Sequence, residues 1–408
     1  MALLLSEFSF VRMSHSVRRI AIIGGCGHVG LPLGMAFAEK DCFVELVDIN
    51  AATVALVNAG KMPFMEEGSD ALLAKVLAGG RLHATTSYAV LKDVDTVIVT
   101  IGTPVDEYLD PSVGIFDASL QAVIKEMHDN QLLVLRSTLF PGVTDRLYRQ
   151  MHTMGKGGIH LAYCPERIVQ GQSLRELAEL PQLIGSVTEE AGNRAASLFK
   201  ILAPGTIFLK PIEAELAKLY ANAWRYINFA ISNQFWVMAE EFNADFSKIH
   251  SALRQDYPRM KSFARAGFAA GPCLLKDTMQ LGAFNHGSFV LGQAAMMINE
   301  GLPYLVVQRI KQQFSLQNMT VGLMGMAFKP NSDDIRSSLS YKLRKVLLLE
   351  AKEVLCCDPY VSDAQLISQA EVLAKADVIV IGTPHDCYKS VVFNQPVFDV
   401  TNTIKTSI

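Results

Sequence analysis

Short apolar runs alternate with segments of helical spacing along the first half of the chain. The run RRIAIIGG is followed by LPLGMAFAEKD, which has helical spacing, and then by a second apolar run, FVELVDIN. Three further apolar runs continue the alternation: DTVIVTIGTP (95–104), LLVLRST (132–138) and GIHLAYCPER (158–167). Buried strands that alternate with helices are typical of a parallel sheet covered by helices. The pattern therefore predicts a doubly wound α/β domain over residues 19–210.

The middle of the chain loses these strand-like runs. Residues 212–253 have few helix breakers and an apolar content too high for a fully solvated surface. We interpret this stretch as one long helix that is either a core helix or a dimer interface. The pattern predicts a helical segment over residues 211–317.

The alternation returns at Met319. MTVGLMGMAF and EVLCCDPYV are predicted strands, and SLSYKLRKVLLLEA between them is a predicted helix. The segment ADVIVIGTPHDCY (376–388) resembles VDTVIVTIGTPVDEY (94–108), which is a weak internal repeat of a strand and its turn. We therefore predict an α/β fold of two Rossmann-like, doubly wound parallel-sheet domains joined by a central helical dimerisation segment. The second of these domains covers residues 318–408.

Composition and charge narrow the class of protein. A chain of 408 residues with half of them hydrophobic exceeds one ordinary domain, and a net charge of −3 argues against a nucleic-acid partner. Seven cysteines without a CxxC pair indicate a reduced, cytoplasmic protein, and the nine histidines show no metal-ligand spacing. The N-terminal apolar run stops at Leu5, short of the roughly 7–15 residues of a signal-peptide core, and no run of about 20 apolar residues predicts a membrane span. We interpret residues 1–18 as an extension, with Met13 as an alternative start.

The first glycine turn has the pattern of a dinucleotide site. Gly25, Gly27 and Gly30 form GxGxxG, with His28 and Val29 inside the motif, after an apolar strand and at the start of a helix. Asp48 follows at the end of the next predicted strand, where a carboxylate accepts hydrogen bonds from ribose hydroxyls and disfavours a 2′-phosphate. The pattern predicts NAD rather than NADP as the cofactor. The alternative is a glycine turn that binds no ligand.

The stretch FARAGFAAGPCLLKD places Cys273 between a Gly/Ala/Pro-rich loop and a predicted helix. A thiolate that adds to an aldehyde allows oxidation to a carboxylic acid through a thioester, and a helix N-terminus favours such a thiolate. Lys276 and Asp277 lie about one turn on, while Lys218 and Asn222 share another helix face at spacing i,i+4. From these residues alone, Cys273 is either a nucleophile or a packed thiol, and Lys218 is either an oxyanion ligand or a surface lysine.

Seven motifs in order resemble the nucleotide-sugar 6-dehydrogenase family, from Arg19 to nearly the end of the chain. They are GGCGHVGLPLG, IGTPVDE, RSTLFPG, CPER, ELAKLYAN, GPCLLKD and GMAFKPNSDDIRSS. The resemblance implies two Rossmann-like domains joined by a long helix that builds a homodimer. It also implies that the C6 alcohol of a nucleotide sugar is oxidised to a carboxylate with two NAD. The products of such enzymes feed surface polysaccharide biosynthesis.

The resemblance also implies roles for individual residues. It assigns Cys273 as the nucleophile, Lys218 and Asn222 as oxyanion ligands, and Asp277, Thr138 and Glu166 as residues that organise water and proton transfers. It adds Thr103, Lys276 and Arg336 as cofactor contacts. The substrate contacts that it implies are Glu166, Lys218, Asn222, Lys329 and the 263–271 loop with Phe268 and Gly271. Two residues depart from the usual family loop: Pro272 replaces Ser or His, and Leu275 replaces a frequent Pro.

The CPERIVQG loop bears on the choice of sugar. By resemblance, P-E-R indicates the N-acetylhexosamine branch, and the forked guanidinium of Arg167 is able to donate to an acetamido oxygen. We therefore predict UDP-N-acetylmannosamine or UDP-N-acetylglucosamine as the substrate. The alternative role for Arg167 is a salt-bridged loop residue.

Three other functions compete with this prediction. The first keeps the chemistry and takes UDP-glucose or GDP-mannose. The second is a two-electron NAD alcohol dehydrogenase, and the third is an NAD-binding scaffold without turnover. The combination of Cys273, Lys218, Asn222 and Asp277 argues against the last two, since neither needs all four residues.

Overall fold

The structure is a computed structural model that describes residues 18–103, 113–268, 271 and 273–404. All of the extension predicted over residues 1–18 except Arg18, and the departure at Pro272, therefore lie outside the described residues.

Eight strands form the first sheet, in the order β3-β2-β1-β4-β5-β6-β7-β8. These strands are β1 (Arg19–Ile23), β2 (Phe43–Val47), β3 (Leu82–Thr85), β4 (Thr96–Val99), β5 (Leu132–Leu135), β6 (His160–Tyr163), β7 (Gln182–Ser186) and β8 (Thr206–Leu209). The helices along this part of the chain are α1 (Gly30–Glu39), α2 (Ala51–Asn58), α3 (Ser69–Ala78), α4 (Val113–Glu126), α5 (Val143–Thr153), α6 (Ser173–Glu179) and α7 (Glu189–Phe199).

The central strands are continuous apolar runs because both faces of the sheet are buried. In β1, Ile20 and Ile22 belong to the core on one face, and Ala21 and Ile23 belong to the core on the other. Successive side chains of a strand point to opposite faces, so a strand that is covered on both sides needs apolar residues at every position. This confirms the doubly wound α/β arrangement predicted from the sequence.

The sheet is mixed rather than wholly parallel, which is a correction. β7 pairs with β6 in the antiparallel direction, while the other neighbouring pairs are parallel. The segment 164–181 stays at the carboxyl edge of the sheet, where the Arg167 guanidinium donates to the main-chain oxygen of Pro181. Since the chain never crosses to the opposite edge, β7 begins where β6 ends.

The middle of the chain is helical, as predicted. Its helices are α8 (Pro211–Glu241), α9 (Phe246–Arg254), α10 (Leu274–Phe284) and α11 (Val290–Gln313). The single helix predicted over residues 212–253 is wrong in one respect, because it is interrupted after Glu241. Asn243 adopts a left-handed conformation with φ of 51°, and the Asp245 carboxylate then accepts from the Ser247 and Lys248 N–H groups to start α9.

The last part of the chain forms a second, parallel sheet in the order β10-β9-β11-β12. Its elements are β9 (Thr320–Met324), α12 (Leu339–Glu350), β10 (Glu353–Cys357), α13 (Gln369–Lys375), β11 (Val378–Ile381) and β12 (Val397–Phe398). The two predicted sheets separated by helices are therefore present.

Within the described residues, one helix, α11, is sufficiently long and apolar to cross a membrane, judged by length and composition alone. It packs along α8 and buries Leu302, Val306 and Ile310 in the protein core. A core helix of a globular protein passes the same test, so this property is weak support for a membrane span. In the same described ranges, no group of three or more His, Cys, Asp or Glu side chains is arranged to hold a metal ion.

Candidate active site

The glycine-rich loop and four further predicted site residues follow five strands of the first sheet at one edge. The glycine-rich loop follows β1, Asp48 follows β2, Thr103 follows β4, Thr138 follows β5 and Glu166 follows β6. These strands run parallel, so their carboxyl ends lie along the same edge. In open α/β sheets, ligands bind outside this edge, where the strand order reverses between β1 and β4.

The glycine-rich loop has the shape of a dinucleotide cradle. A Cβ at Gly25 would lie 2.7 Å from Leu46 Cα, and one at Gly30 would lie 2.5 Å from the Gly24 oxygen. The same atom at Gly27 would meet only the Gly24 oxygen, at 3.4 Å, so this glycine faces open space. The outer glycines thus allow tight packing, and the middle one allows close approach of a pyrophosphate. Val29 precedes the first turn of α1, whose N–H groups point toward the loop.

Asp48 is tied to this loop. Its carboxylate accepts from the Cys26 N–H at 3.2 Å and from the Asn50 N–H at 3.1 Å. Burial, followed by the charge of Asp48, raises the pKa of the Cys26 thiol to about 12. Cys26 is therefore an inert filler of the loop, and the residues around it fit a bound NAD.

Cys273 is exposed and directly precedes the first turn of α10. Its main-chain oxygen accepts from the Asp277 N–H at 2.9 Å, which places Asp277 one turn along the helix. A helix N-terminus carries partial positive charge and free N–H groups, and this environment favours a thiolate.

The fully buried Asp277 carboxylate is the meeting point of three predicted site residues. The amide nitrogen of Asn222 donates to Asp277 Oδ2 at 2.5 Å, and Thr138 Oγ1 lies 3.5 Å from the same oxygen. Lys276 Nζ lies 3.4 Å from Asp277 Oδ1, which has no hydrogen-bond partner among the residues that the structure describes. Residues from α8, α10 and the loop after β5 are thus joined at one carboxylate.

Lys276 extends this cluster toward the first sheet. Its ammonium group also donates to the main-chain oxygen of Thr103 at 3.1 Å and to Thr103 Oγ1 at 3.2 Å. Two of the residues predicted as cofactor contacts, Thr103 and Lys276, are therefore in direct contact with each other. They link the edge of the sheet to the helix that follows Cys273.

Lys218 lies one turn before Asn222 on α8 and is half-buried. Its ammonium makes no hydrogen bond or ion pair with any residue in the described part of the chain. A half-buried lysine with free N–H groups is suited to bind a developing oxyanion.

Glu166 has a different environment from the one its predicted role suggests. Its Oε2 accepts from Arg136 Nε at 2.8 Å and from a second Arg136 nitrogen, and its Oε1 accepts from the N–H groups of Arg167 and Ile168. Arg136 is almost fully buried and also donates to Gln182 Oε1 at 2.8 Å. Both carboxylate oxygens are therefore engaged in holding the CPER loop.

Arg167 lies half-buried beside this pair. One nitrogen of its guanidinium donates to the main-chain oxygen of Pro181. Burial lowers the pKa of Arg167, and the charge of Glu166 opposes that shift.

The remaining predicted residues lie around the second sheet and its loops. Arg336 donates to Asp334 through three bonds of 2.6–3.0 Å from its guanidinium, and this bonding raises the pKa of Arg336. Lys329 donates to the main-chain oxygen of Gln170, and burial lowers the pKa of its ammonium group.

In the 263–271 loop, Phe268 packs against the C-terminal core. Gly271 has φ of 116°, and a Cβ there would lie 2.9 Å from the Phe328 ring. Residues 269 and 270 lie outside the described residues.

The sequence prediction missed three residues that hold the site together. Arg136 binds Glu166, Glu215 binds the start of α5, and Gln170 contacts both His28 and Asp334. A charged residue within a strand-end motif was a signal for Arg136, and a glutamate one turn before Lys218 was a signal for Glu215. For Gln170, the sequence contains no signal.

Comparisons with known proteins agree with this geometry. Residues 18–203 match the NAD binding domain of the UDP-glucose/GDP-mannose dehydrogenase family, residues 212–300 match its central domain, and residues 322–406 match its UDP binding domain. The UDP-N-acetyl-D-mannosamine dehydrogenase of Pyrococcus horikoshii is 30% identical over 383 residues, with 91% of each chain covered.

Two solved structures are similar over nearly their whole length. The structure of the UDP-D-ManNAc dehydrogenase from Pyrococcus horikoshii has a TM-score of 0.88 at 28% identity, with 96% of each chain covered. That of a UDP-glucose dehydrogenase from Pyrobaculum islandicum has a TM-score of 0.89 at 25% identity, covering 97% of this chain and 96% of that one. The chain therefore belongs to the UDP-glucose/GDP-mannose dehydrogenase family and is an NAD-dependent nucleotide-sugar dehydrogenase.

Proposed function

We propose that this enzyme oxidises the C6 hydroxymethyl group of UDP-N-acetylmannosamine or UDP-N-acetylglucosamine to the uronic acid, a four-electron reaction. The observation that carries this proposal is the exposed Cys273 one helical turn from the buried Asp277 carboxylate, on which Asn222, Thr138 and Lys276 converge. A two-electron alcohol oxidation needs no thiol, whereas the second oxidation step proceeds readily from a thiohemiacetal.

Cys273 is the covalent catalyst in this mechanism. NAD, when bound, accepts a hydride in each of the two oxidation steps. The Cys273 thiolate adds to the C6 aldehyde and forms a thiohemiacetal, and after the second oxidation the sugar is held as a thioester. Water then attacks the thioester carbonyl, the carbon–sulfur bond breaks, and the uronic acid leaves.

The residues around Cys273 supply the charge and proton transfers. Lys218 and Asn222 lie one turn apart on α8 and donate hydrogen bonds to the oxyanion that forms when a nucleophile adds to C6. Asp277, within hydrogen-bond reach of Asn222 and Thr138, orients the attacking water and takes up its proton. Glu166 acts through the position of the CPER loop, since its oxygens are bonded to Arg136 and to backbone N–H groups.

Two features support an N-acetylhexosamine as the sugar. The Pyrococcus horikoshii relative carries the name UDP-N-acetyl-D-mannosamine dehydrogenase, and the CPER loop carries the forked guanidinium of Arg167, one nitrogen of which is bonded to the Pro181 oxygen. UDP-glucose is the second candidate, because the Pyrobaculum islandicum structure is equally similar in fold and is named a UDP-glucose dehydrogenase.

We further propose a cytoplasmic homodimer built through the central helices. One side of α8 exposes the large apolar residues Tyr220, Trp224, Phe235 and Met238, and Trp224 is 60% exposed. Apolar side chains at this helical spacing form a stripe that water covers poorly, and a second copy of the helix would bury it. The seven free cysteines support a reducing compartment.

The function is tested by measuring how much NADH is released per molecule of sugar nucleotide when the reaction goes to completion. Each sugar nucleotide is supplied in a limiting amount. The set is UDP-N-acetylmannosamine, UDP-N-acetylglucosamine, UDP-glucose and GDP-mannose. We expect two NADH per sugar with an N-acetylhexosamine, and the responding sugar names the substrate. One NADH per sugar would contradict the four-electron mechanism, and equal turnover of UDP-glucose would contradict the sugar preference. No NADH from any of the four would favour a scaffold role or another sugar.

A further inference from the structure

One segment of the C-terminal part contacts three separate loops of the N-terminal part. This segment, residues 328–336, is called the clasp. The Asp333 carboxylate of the clasp accepts from the Met65 N–H at 3.1 Å, and Lys329 donates to the main-chain oxygen of Gln170. Asp334 accepts from the Gln170 side chain at 3.1 Å and lies 3.8 Å from His28 Nε2. The clasp therefore touches the 62–67 loop, the CPER loop and the glycine-rich loop.

Gln170 is the centre of these contacts. Its amide nitrogen donates to His28 Nδ1 at 2.9 Å and to Asp334 Oδ2 at 3.1 Å. The amide has two hydrogens, so one is directed to the glycine-rich loop and the other to the clasp. A single side chain thus connects the loop that receives the dinucleotide to the C-terminal part.

The His28 ring is held so that it is able to accept this hydrogen bond. It packs on the Phe64 ring with a centroid separation of 4.0 Å. Burial, followed by the charge of Arg336, lowers the pKa of His28 to about 4. The ring is therefore neutral at pH 7, with Nδ1 as an acceptor and the proton on Nε2, which faces Asp334.

The clasp is hydrogen-bonded to residues that follow β11 of the second sheet. A movement of Asp334 is therefore transmitted to the C-terminal part. The Asn331 N–H donates to His385 Nδ1 at 2.9 Å, and the Asn331 amide donates to Asp386 at 2.6 Å. The Phe328 N–H donates to the main-chain oxygen of Asp334 at 2.9 Å, which closes the loop on itself. Asp334 also holds the Arg336 guanidinium.

From these contacts we propose that Gln170 is a positioning residue that couples dinucleotide binding at the glycine-rich loop to closure of the C-terminal part over the nucleotide sugar. When the dinucleotide orders the glycine-rich loop, His28 holds the Gln170 amide, and this amide donates to Asp334 of the clasp. The clasp then closes, with Arg336 held by Asp334. The nucleotide end of the substrate is assigned to the C-terminal part because residues 322–406 match the UDP binding domain of the family.

The test is the affinity of UDP for the full-length protein, measured by titration calorimetry without NADH and with saturating NADH. Allosteric coupling between two sites is typically about 5- to 150-fold. We expect NADH to tighten UDP binding to the wild-type protein by at least about fivefold, and UDP to tighten NADH binding by the same factor, because coupling is reciprocal.

In Gln170→Ala, the coupling factor should fall to within about twofold of one, well below that typical range. This factor is the ratio of the UDP dissociation constants without and with saturating NADH. A variant that weakens UDP binding equally in both conditions therefore leaves the factor unchanged. Gln170→Glu keeps the length of the side chain but replaces both donors by an acceptor facing Asp334, and it should lose the coupling as well. Gln172→Ala is the matched control, since this exposed side chain accepts from the neighbouring Arg175 and should keep the wild-type factor.

Wild-type coupling in Gln170→Ala would overturn the proposal, as would a factor of one in the wild-type protein. The outcome is separate from that of the proposed function. UDP and NADH contain neither the sugar nor the reacting carbon, so a failure of the NADH stoichiometry would leave the coupling measurement valid.

Discussion

Glu215 is the buried carboxylate whose replacement tests most directly how the site is assembled. It lies on α8 one turn before Lys218 and is fully buried. Its Oε2 accepts from the Gly142 N–H at 2.6 Å, and its Oε1 accepts from Thr144 N–H and Thr144 Oγ1 at 2.8 and 2.6 Å. The first N–H groups of a helix have no partner within it, so this carboxylate satisfies the start of α5. It thereby joins α8 to the loop that carries Thr138.

The magnitude follows from the donors left without a partner. A buried donor that loses its acceptor costs about 1–3 kcal/mol. Glu215→Ala leaves three donors, and since such losses are not additive we expect a loss of about 3–5 kcal/mol in the free energy of unfolding. Glu215→Gln keeps an oxygen for Thr144 but turns an amide nitrogen toward the Gly142 N–H. Burial raises the pKa of Glu215, so removal of the charge offsets part of that loss, and we expect about 1 kcal/mol.

Urea unfolding followed by tryptophan fluorescence measures this loss. The two tryptophans of the chain, Trp224 and Trp236, both lie on α8, so the signal reports the helix that carries Glu215. Glu241→Gln, on the exposed last turn of the same helix, is the matched control and should change stability by less than about 0.5 kcal/mol. In folded Glu215→Gln, kcat should fall more than KM changes, because the position of Thr138 against Asp277 is disturbed.

An unchanged urea midpoint for Glu215→Ala would refute the role of these hydrogen bonds in stability. A lower midpoint with unchanged kcat for Glu215→Gln would refute the link to the site. The expected order is wild type, then Gln, then Ala, and a reversed order would show that burial of the charge outweighs its hydrogen bonds.

Four further outcomes follow from the structure. Cys273→Ser should lower kcat for the overall oxidation by several orders of magnitude, as measured by NADH release, because a serine hydroxyl forms the acyl intermediate poorly; near-wild-type turnover would support a two-electron enzyme. Arg136→Met should destabilise the protein by about 3–5 kcal/mol by leaving Glu166 buried without its cation, whereas the double change Arg136→Met with Glu166→Leu should recover much of this loss in urea unfolding. Because the pKa of His28 is lowered to about 4, the unfolded chain binds more protons between about pH 6.5 and pH 4, so stability should fall by up to about 3 kcal/mol as the pH drops through that window. His28→Asn should remove this part of the pH dependence, and an unchanged profile would contradict the assigned shift. Trp224→Glu should shift the protein toward monomer in light scattering after size exclusion, since it places a charge in the exposed apolar stripe of α8, and an unchanged dimer would place the interface elsewhere.

Parts of the fold and the site could be predicted because their signals are local. The glycine motif after β1 and the acid after β2 lie close together, with 23 positions between Gly25 and Asp48. They have the same meaning wherever a strand, a tight turn and a helix follow in order. The long apolar stretch of α8 was likewise visible, although its end at Glu241 depended on the conformation of Asn243 and the capping by Asp245.

Other features had no local signal. The segment before β7 is long enough for a crossover, and the antiparallel direction follows from contacts that keep it at the carboxyl edge. The resemblance assigned Glu166 to proton transfer, but its surroundings depend on Arg136, which follows the neighbouring strand β5 and lies 30 positions earlier in the chain. Burial and pairing depend on neighbours that a motif does not contain.

The sequence by itself determined the alternation of strands and helices, the cofactor cradle and the residue types needed for thiol chemistry. Those properties depend on hydrophobic periodicity, on glycine conformations and on side-chain chemistry, which act over a few residues. Only the tertiary structure decided which acceptor each buried donor meets. The Arg136–Glu166, Thr144–Glu215 and Gln170–Asp334 contacts join residues that are 30, 71 and 164 positions apart. Such pairs form only when strands and helices pack into one core, because each buried polar group then has to bond whichever partner the packing brings within reach.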